Sequence, residues 1–66
     1  MSAAAAERQG RVAKLAWTLI GDRDGAITFL NQPHVALGGR PIDLAVASEV
    51  GCAAVEQAIA ERAAHR

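Results

Sequence analysis

The sequence PHVALGGRPIDL, at residues 33–44, separates two helical patterns and predicts a tight turn between them. Pro33 ends the preceding helix, because proline lacks a backbone N–H and its ring clashes with the turn before it. Gly38 and Gly39 have no Cβ and so permit the positive φ that a sharp reversal requires. We expect positive φ at one of these glycines at least, and favour it at both. Pro41, whose φ is preset for a first helical position, begins the next helix.

The other side chains of this turn are candidates for anchoring and for recognition. Val35 and Leu37 are apolar, and we expect them to hold the turn against a core. Arg40 either anchors the turn, by donating to carbonyls or to an acid such as Asp43 or Asp22, or faces a partner protein. The Gly-Gly-Arg run also resembles an anion-binding loop, but phosphate loops need further glycines and a Lys or Ser/Thr at fixed spacing.

The chain before the turn begins with a long helical pattern. We expect a frayed start over residues 1–6, a first helix over residues 7–20, and an end at Gly21. The apolar face of this helix repeats with the period of an amphipathic helix. That face consists of Val12, Leu15, Ala16 and Leu19. Arg8, Arg11, Lys14 and Thr18 lie mostly on the opposite face.

Capping residues place three further helices. Asp22 is a favoured N-cap for a second helix, which residues 31–33 end. After the turn, a short third helix is expected over residues 41–47. Ser48 then caps a fourth helix, because its hydroxyl can accept a hydrogen bond from an otherwise unpaired N–H of the first turn.

The fourth helix carries the clearest signs of packing. Gly51 lies among small residues, which indicates that another helix approaches closely. The apolar stripe of this helix consists of Cys52, Val55 and Ile59. No stretch has the alternation of a half-buried strand. The sequence therefore predicts an all-α fold, a single domain of four helices over residues 1–66 with the Gly-Gly turn between the second and third.

The size of the chain predicts assembly with another chain. A domain of 66 residues buries only about 60% of the surface that its unfolded chain exposes. Alanine supplies nearly half of the apolar residues, and its side chain buries little area. Small domains in this position need disulfides, a metal or oligomerisation. Because the chain has 1 cysteine, an internal disulfide is excluded, and we expect a homo-oligomer or a permanent partner.

Charge and hydropathy limit the possible partners and location. The formal net charge is 0, which argues against direct binding of nucleic acid, since such binders carry a basic excess. No apolar run approaches the ~18 residues of a membrane span, and the N-terminus lacks a signal-peptide pattern. We therefore expect a cytoplasmic protein that binds neither membranes nor DNA.

Candidate catalytic and metal-binding residues do not form a set. His34, His65, Cys52 and Asp43 have no spacing typical of a zinc site, which needs three or four ligands. A nucleophilic cysteine needs a positioned base, so we interpret Cys52 as a small apolar residue packed between helices. We expect no enzymatic activity and no cofactor. Trp17 is either a core side chain or, since Trp is enriched in binding hot spots, part of an interface.

The turn resembles the central motif of the toxin-binding domain of Xre/MbcA/ParS-type antitoxins. The similarity covers roughly residues 19–59, and the ordered set of motifs makes it specific although each motif alone is weak. The matching positions are Leu19-Ile20-Gly21-Asp22, Ala26, Phe29-Leu30, Pro33, Ala36-Leu37-Gly38-Gly39-Arg40, Pro41-Ile42-Asp43-Leu44, Ser48-Glu49, Gly51 and Val55.

The resemblance implies a non-catalytic antitoxin. In that family the domain follows a DNA-binding region and binds a RES-type toxin, an enzyme that consumes NAD. The end of the antitoxin blocks the entrance of the toxin's active site. Too few residues precede the first helix here to form the DNA-binding region, so we expect no autorepression by this chain alone. The alternative interpretation is a detached oligomerisation or regulatory module of a transcription regulator.

The resemblance and the residue types together indicate a partner-binding surface. It would comprise the last helix over residues 58–66 and the surface around the turn. Its candidate contact residues are Arg40, Arg62, Arg66 and Trp17. Two positions depart from the family pattern. Arg40 directly precedes Pro41, where the family has an intervening Ser or Thr, and Glu61 occupies a position where the family has Arg.

Overall fold

A computed structural model describes residues 2–64 of the chain, and its architecture is all-α. The four helices are α1 (Ala3–Ile20), α2 (Arg23–Asn31), α3 (Pro41–Ala47) and α4 (Glu49–Ala64). Within the described residues the only extended pairing is an isolated antiparallel bridge between His34 and Gly39. The predicted fold class is therefore confirmed.

Helix α1 begins earlier than its sequence predicted. The Oγ of Ser2 accepts a hydrogen bond from the N–H of Ala5 at 3.1 Å, which pairs one of the free donors of the first turn. Ala5 is also buried, with 8% of its surface exposed. The expected frayed start is thus wrong for residues 3–6, while Met1 lies outside the described residues.

The other helix ends follow the predicted caps. Gly21 adopts φ 77°, and its N–H donates to the carbonyl of Trp17, which closes α1. Asp22 accepts a hydrogen bond from the N–H of Gly25 at 2.9 Å at the start of α2. Ser48 accepts from Gly51 at 2.9 Å at the start of α4. These signals were readable from the sequence because each one involves residues three or four positions apart.

The turn between α2 and α3 reverses the chain with a single left-handed residue. Gly38 has φ 81°, whereas Gly39 does not have positive φ, so the expectation for both glycines is wrong for Gly39. The N–H of His34 donates to the carbonyl of Gly39 at 3.0 Å, and the N–H of Gly38 donates to the carbonyl of His34 at 2.9 Å. These two bonds close the turn, and Pro41 occupies the first turn of α3 as predicted.

Alanine substitutions should distinguish the two glycines of this turn. Gly38→Ala should lower the free energy of unfolding by ~1–2 kcal/mol, because an L side chain is strained at positive φ. Gly39→Ala is the matched control, since a Cβ there has no atom within 4 Å and φ is not positive. Urea denaturation followed by circular dichroism measures both. Equal midpoints for the two variants would contradict the assigned turn geometry.

The core lies where α1, α3 and α4 pack against one another. Its buried side chains come from all four helices and are Val12, Ala16, Ala26, Leu30, Ala45, Cys52, Val55 and Ile59. Leu37 of the turn packs against this cluster, as expected. Val35 does not, since 99% of its surface is exposed, so the expectation that it anchors the turn is wrong. Of the two apolar side chains, Leu37 alone therefore packs the turn against the core.

Gly51 lies at the closest approach between α3 and α4. A Cβ at this position would overlap the carbonyl oxygen of Leu44 and lie 3.0 Å from its carbonyl carbon. The same Cβ would be 3.2 Å from Ser48 Oγ. Only glycine therefore allows α4 to start this close to the backbone of α3, as the run of small residues predicted.

Candidate functional site

Arg8 ties the start of α1 to the end of α3. Its Nε donates to the carbonyl of Ala45 at 2.9 Å, and its Nη2 donates to the carbonyl of Val46. Its Nη1 lies 3.5 Å from a carboxylate oxygen of Glu49, and only 11% of the side chain is exposed. The last turn of α3 contains no basic residue of its own. A guanidinium near its free carbonyls therefore complements the negative end of that helix.

Arg11 connects α1 with α4. Its Nη2 donates to Glu49 Oε1 at 3.1 Å and to Cys52 Sγ at 3.0 Å. Its Nε lies 3.3 Å from Glu56 Oε2 without the geometry of a hydrogen bond, and its Nη1 contacts Glu7 at 3.4 Å. Arg11 and Glu56 are thus part of an interhelical network.

Protonation of Glu49 in acid weakens the ion pair that it forms with Arg11. The hydrogen bond from Arg11 lowers the pKa of Glu49 below its ordinary 4.5. The hydrogen bonds to Glu49 and Cys52 raise the pKa of Arg11. A depressed carboxyl pKa adds stability that is present above the unfolded-state pKa and is lost as the pH falls through the folded-state value. The contribution is small, since Glu49 is largely exposed and the pair is screened by solvent.

Arg40 anchors the turn, as one of its two predicted roles required. Its Nη2 donates to Asn31 Oδ1 at 2.8 Å, which links the turn to the last residue of α2. Its Nη1 lies 3.8 Å from Asp43 Oδ2 in the first turn of α3. The side chain is nevertheless 45% exposed, so a partner protein can reach it.

Trp17 lies on the surface rather than in the core. Its exposed fraction is 54%, and Ile27 and Val50 are exposed by 48% and 82%. Large exposed apolar side chains are ordinary when isolated, but a tryptophan offers more contact area than the others. Of its two predicted roles, the exposure of Trp17 favours the interface.

A cleft of about 180 Å³ lies between the end of α2 and the last turns of α4. Its lining residues are Thr28, Phe29, Gln32, Pro33, His34 and Arg62. The Cζ of Arg62 is 5.9 Å from the centroid of the Phe29 ring, within the range of a cation–π contact. The ring of His34 meets the same Phe29 ring edge to face, with centroids 5.8 Å apart.

The structure brings together only some of the predicted site residues. Pro33 and Arg62 share the cleft, whereas Arg40 and Trp17 do not line it. Arg66 and His65 lie outside the described residues. Thr28, Gln32 and His34 were not predicted as site residues, because nothing in a linear sequence pairs residues 28–34 with residue 62.

Residues 2–64 contain neither a cluster of metal ligands nor a helix suited to cross a membrane. No group of three or more His, Cys, Asp or Glu side chains is placed to hold a metal ion. None of the helices in this range combines the length and the apolar character needed to cross a membrane.

Comparison with known protein families assigns the chain. The model of the antitoxin Xre/MbcA/ParS C-terminal toxin-binding domain matches residues 15–64. The chain belongs to this family. Comparison with curated proteins and with solved structures gave no match. The family match covers the second part of α1, the turn and the three later helices, so the toxin-binding antitoxin domain includes Trp17, Arg40 and Arg62. Arg8 and Arg11 precede the matched segment.

Proposed function

We propose that this antitoxin domain binds and neutralises a RES-type toxin that consumes NAD, and that it performs no catalysis itself. The observation that carries the proposal is the family match, which includes the whole turn and α4. The type of toxin rests on the resemblance of the Ala-Leu-Gly-Gly-Arg turn and the helix that follows it. The sequence supplies no nucleophile paired with a base, which supports a binding role.

Three exposed side chains support a partner-binding surface on this domain. Arg62 is exposed on α4, Arg40 is half exposed beside the turn, and Trp17 is half exposed on α1. Arginine and tryptophan are the residue types most enriched at the energetic centres of protein interfaces. We assign partner contact to these three residues and to the end of the chain, including Arg66.

Neutralisation of the toxin in cells tests this proposal. We expect the chain to restore growth when co-expressed with a RES-type toxin recovered by co-purification from the native host. Arg40→Ala and Arg62→Ala should each weaken toxin binding by about 30-fold, the ~2 kcal/mol expected of a hot spot. Arg23→Ala is the matched control, since Arg23 is also exposed but is not assigned to the surface.

Truncation after Ile59 distinguishes toxin contact by residues 60–66, the tail, from toxin contact by the turn. The fold should persist, because the buried stripe of α4 ends at Ile59, and circular dichroism checks this. Rescue should be reduced if the tail contacts the toxin. Full rescue by the truncated chain together with failure of Arg40→Ala would place contact at the turn alone. Failure of the intact chain to bind or neutralise any RES-type toxin would contradict the proposed function.

We also infer that the domain self-associates. Its buried cluster consists largely of Ala, Val and Cys, while Trp17, Ile27 and Val50 remain exposed. A small core of this kind supplies little stability without further burial. Sedimentation equilibrium at micromolar concentration should give a dimer or larger species, and Trp17→Ala should shift it toward monomer. A cooperatively folded monomer at that concentration would contradict this inference.

A further inference from the structure

We propose that the cleft between α2 and α4 is a carboxylate-binding site, and that its occupant is an Asp or Glu side chain of the toxin. The identity of the occupant rests on the proposed function, whereas the chemistry of the site does not. The proposal concerns the side chains of Thr28, Gln32, His34 and Arg62, which line the cleft together with Phe29.

The charge of the cleft favours an anion. Arg62 is the only charged side chain among its lining residues, so no acid of the lining competes for the guanidinium. Three other arginines use their donors within the domain. Arg8 binds carbonyls, and Arg11 and Arg40 contact acids. Arg62, in contrast, forms no ion pair with any acid in the described part of the chain.

The contact with Phe29 positions Arg62 without occupying its donors. A cation–π contact places the guanidinium near the ring but uses none of its five N–H groups. Two parallel N–H groups of arginine match the two oxygens of a carboxylate. Arg62 is therefore held in place while its fork of donors stays available to a planar anion.

His34 supplies a polar group that lacks a partner. Its Nδ1 is buried and makes no hydrogen bond to any of residues 2–64. Leaving such a group unpaired is unfavourable, and buried polar atoms in folded proteins are usually paired. Because this atom is enclosed by the protein, the donors that an anion in the cleft meets directly start with the guanidinium of Arg62. The hydroxyl of Thr28 and the amide of Gln32 add further donors to the lining.

The size of the cleft selects the kind of occupant. Its volume of about 180 Å³ is below the roughly 300–1,000 Å³ typical of sites for drug-sized ligands and cofactors. An acetate ion or the end of an acidic side chain fits this space, whereas a whole nucleotide would not be enclosed by it. A side chain of the toxin is favoured over a free acid because Arg62 lies within the matched toxin-binding segment.

Titration with acetate tests the chemistry of the site. We expect the backbone amide signals of Phe29, Gln32 and His34 in the nitrogen–proton NMR spectrum to shift saturably, with millimolar affinity. Acetamide, the neutral isostere, should produce no such shift. Arg62→Gln should weaken acetate binding at least tenfold. Arg23→Gln, the charge-matched control, should leave it unchanged.

Two results would overturn the carboxylate site. Shifts that rise linearly with acetate or occur equally with acetamide would show that no specific site exists. Acetate affinity that is the same in Arg62→Gln as in the parent chain would show that the site, if present, lies elsewhere.

Binding to the toxin tests the occupant separately. Saturating acetate should compete with the toxin for the parent chain, and Arg62→Gln should weaken toxin binding about tenfold or more while Arg23→Gln does not. Acetate binding combined with unchanged toxin affinity in Arg62→Gln would overturn the toxin as occupant and leave a free acid as the ligand. A chain that binds no toxin would contradict the proposed function, while the acetate titration would still decide the chemistry of the cleft.

Discussion

Replacing Gly51 with alanine should lower the free energy of unfolding by about 1–3 kcal/mol, the usual range for overpacking a tight interface. The added Cβ would overlap the carbonyl oxygen of Leu44 and crowd Ser48 Oγ. Backbone atoms of α3 cannot rotate away as a side chain can, so α4 must move. A domain of this size has only ~3–5 kcal/mol of stability from its core, and the loss is a large share of it.

Gly10→Ala is the matched control for this substitution. Gly10 also lies within a helix, but a Cβ there would have no atom within 4 Å. The change should therefore raise stability by ~0.5–1 kcal/mol, because alanine loses less conformational entropy than glycine in a helix. Urea denaturation of both variants gives the comparison. Shifts of the same sign would show that the α3–α4 contact is not as tight as described.

The substitution Arg8→Met should lower the free energy of unfolding by ~2–3 kcal/mol. It removes two hydrogen bonds from a charged donor to the carbonyls of Ala45 and Val46, and such bonds contribute ~1.5–3 kcal/mol each before relaxation. Methionine keeps most of the apolar stem, so the loss reports the guanidinium. Arg8→Lys should lie between the parent and Arg8→Met, since an ammonium keeps the charge without the planar fork.

Lys14→Met provides the control for Arg8→Met on the same helix. Lys14 is exposed and forms no ion pair with any acid among residues 2–64, so its loss should change stability by less than about 0.5 kcal/mol. Thermal and urea unfolding should show the largest loss of stability for Arg8→Met, a smaller loss for Arg8→Lys and the smallest for Lys14→Met. Equal stability of Arg8→Met and Lys14→Met would mean that the bonds to α3 contribute nothing in solution.

The helices could be located from the sequence because their ends are local. Asp22, Ser48 and Gly21 act on groups three or four residues away, and Pro41 acts through its own ring. The stripe of α4 was also predictable, since its side chains repeat along one helix face. The early start of α1 at Ala3 was missed because a run of alanines offers no periodicity.

The contacts that join distant parts of the chain could not be predicted in the same way. Arg8 and Arg11 meet interhelical partners 37 to 45 residues away, and nothing in the pattern of an isolated helix indicates which distant residues its charged face will contact. Both residues also precede the segment that resembles the family. For Val35 the error is the opposite one. Its apolar side chain was expected to pack against the core, but it is fully exposed.

Some residues of the candidate site could be predicted from the sequence, but their surroundings could not. Arg62 was singled out by its place near the end of α4, and Arg40 by its place in the turn. Their surroundings depend on tertiary structure, which gives Arg40 the partners Asn31 and Asp43 and gives Arg62 the ring of Phe29. The cleft exists only because α4 returns to the end of α2, so neither its shape nor the unpaired Nδ1 of His34 was readable from residues in order.

The burial of Cys52 turns the chain's only thiol into a reporter of local opening. Its Sγ is inaccessible and contacts Arg11 across the interface of α1 and α4, so a thiol reagent can reach it only after these helices separate. The rate of labelling under native conditions, compared with that of the unfolded chain, gives the free energy of that separation. Toxin binding that clamps the two helices would slow labelling, whereas binding confined to the turn and cleft would leave the rate unchanged.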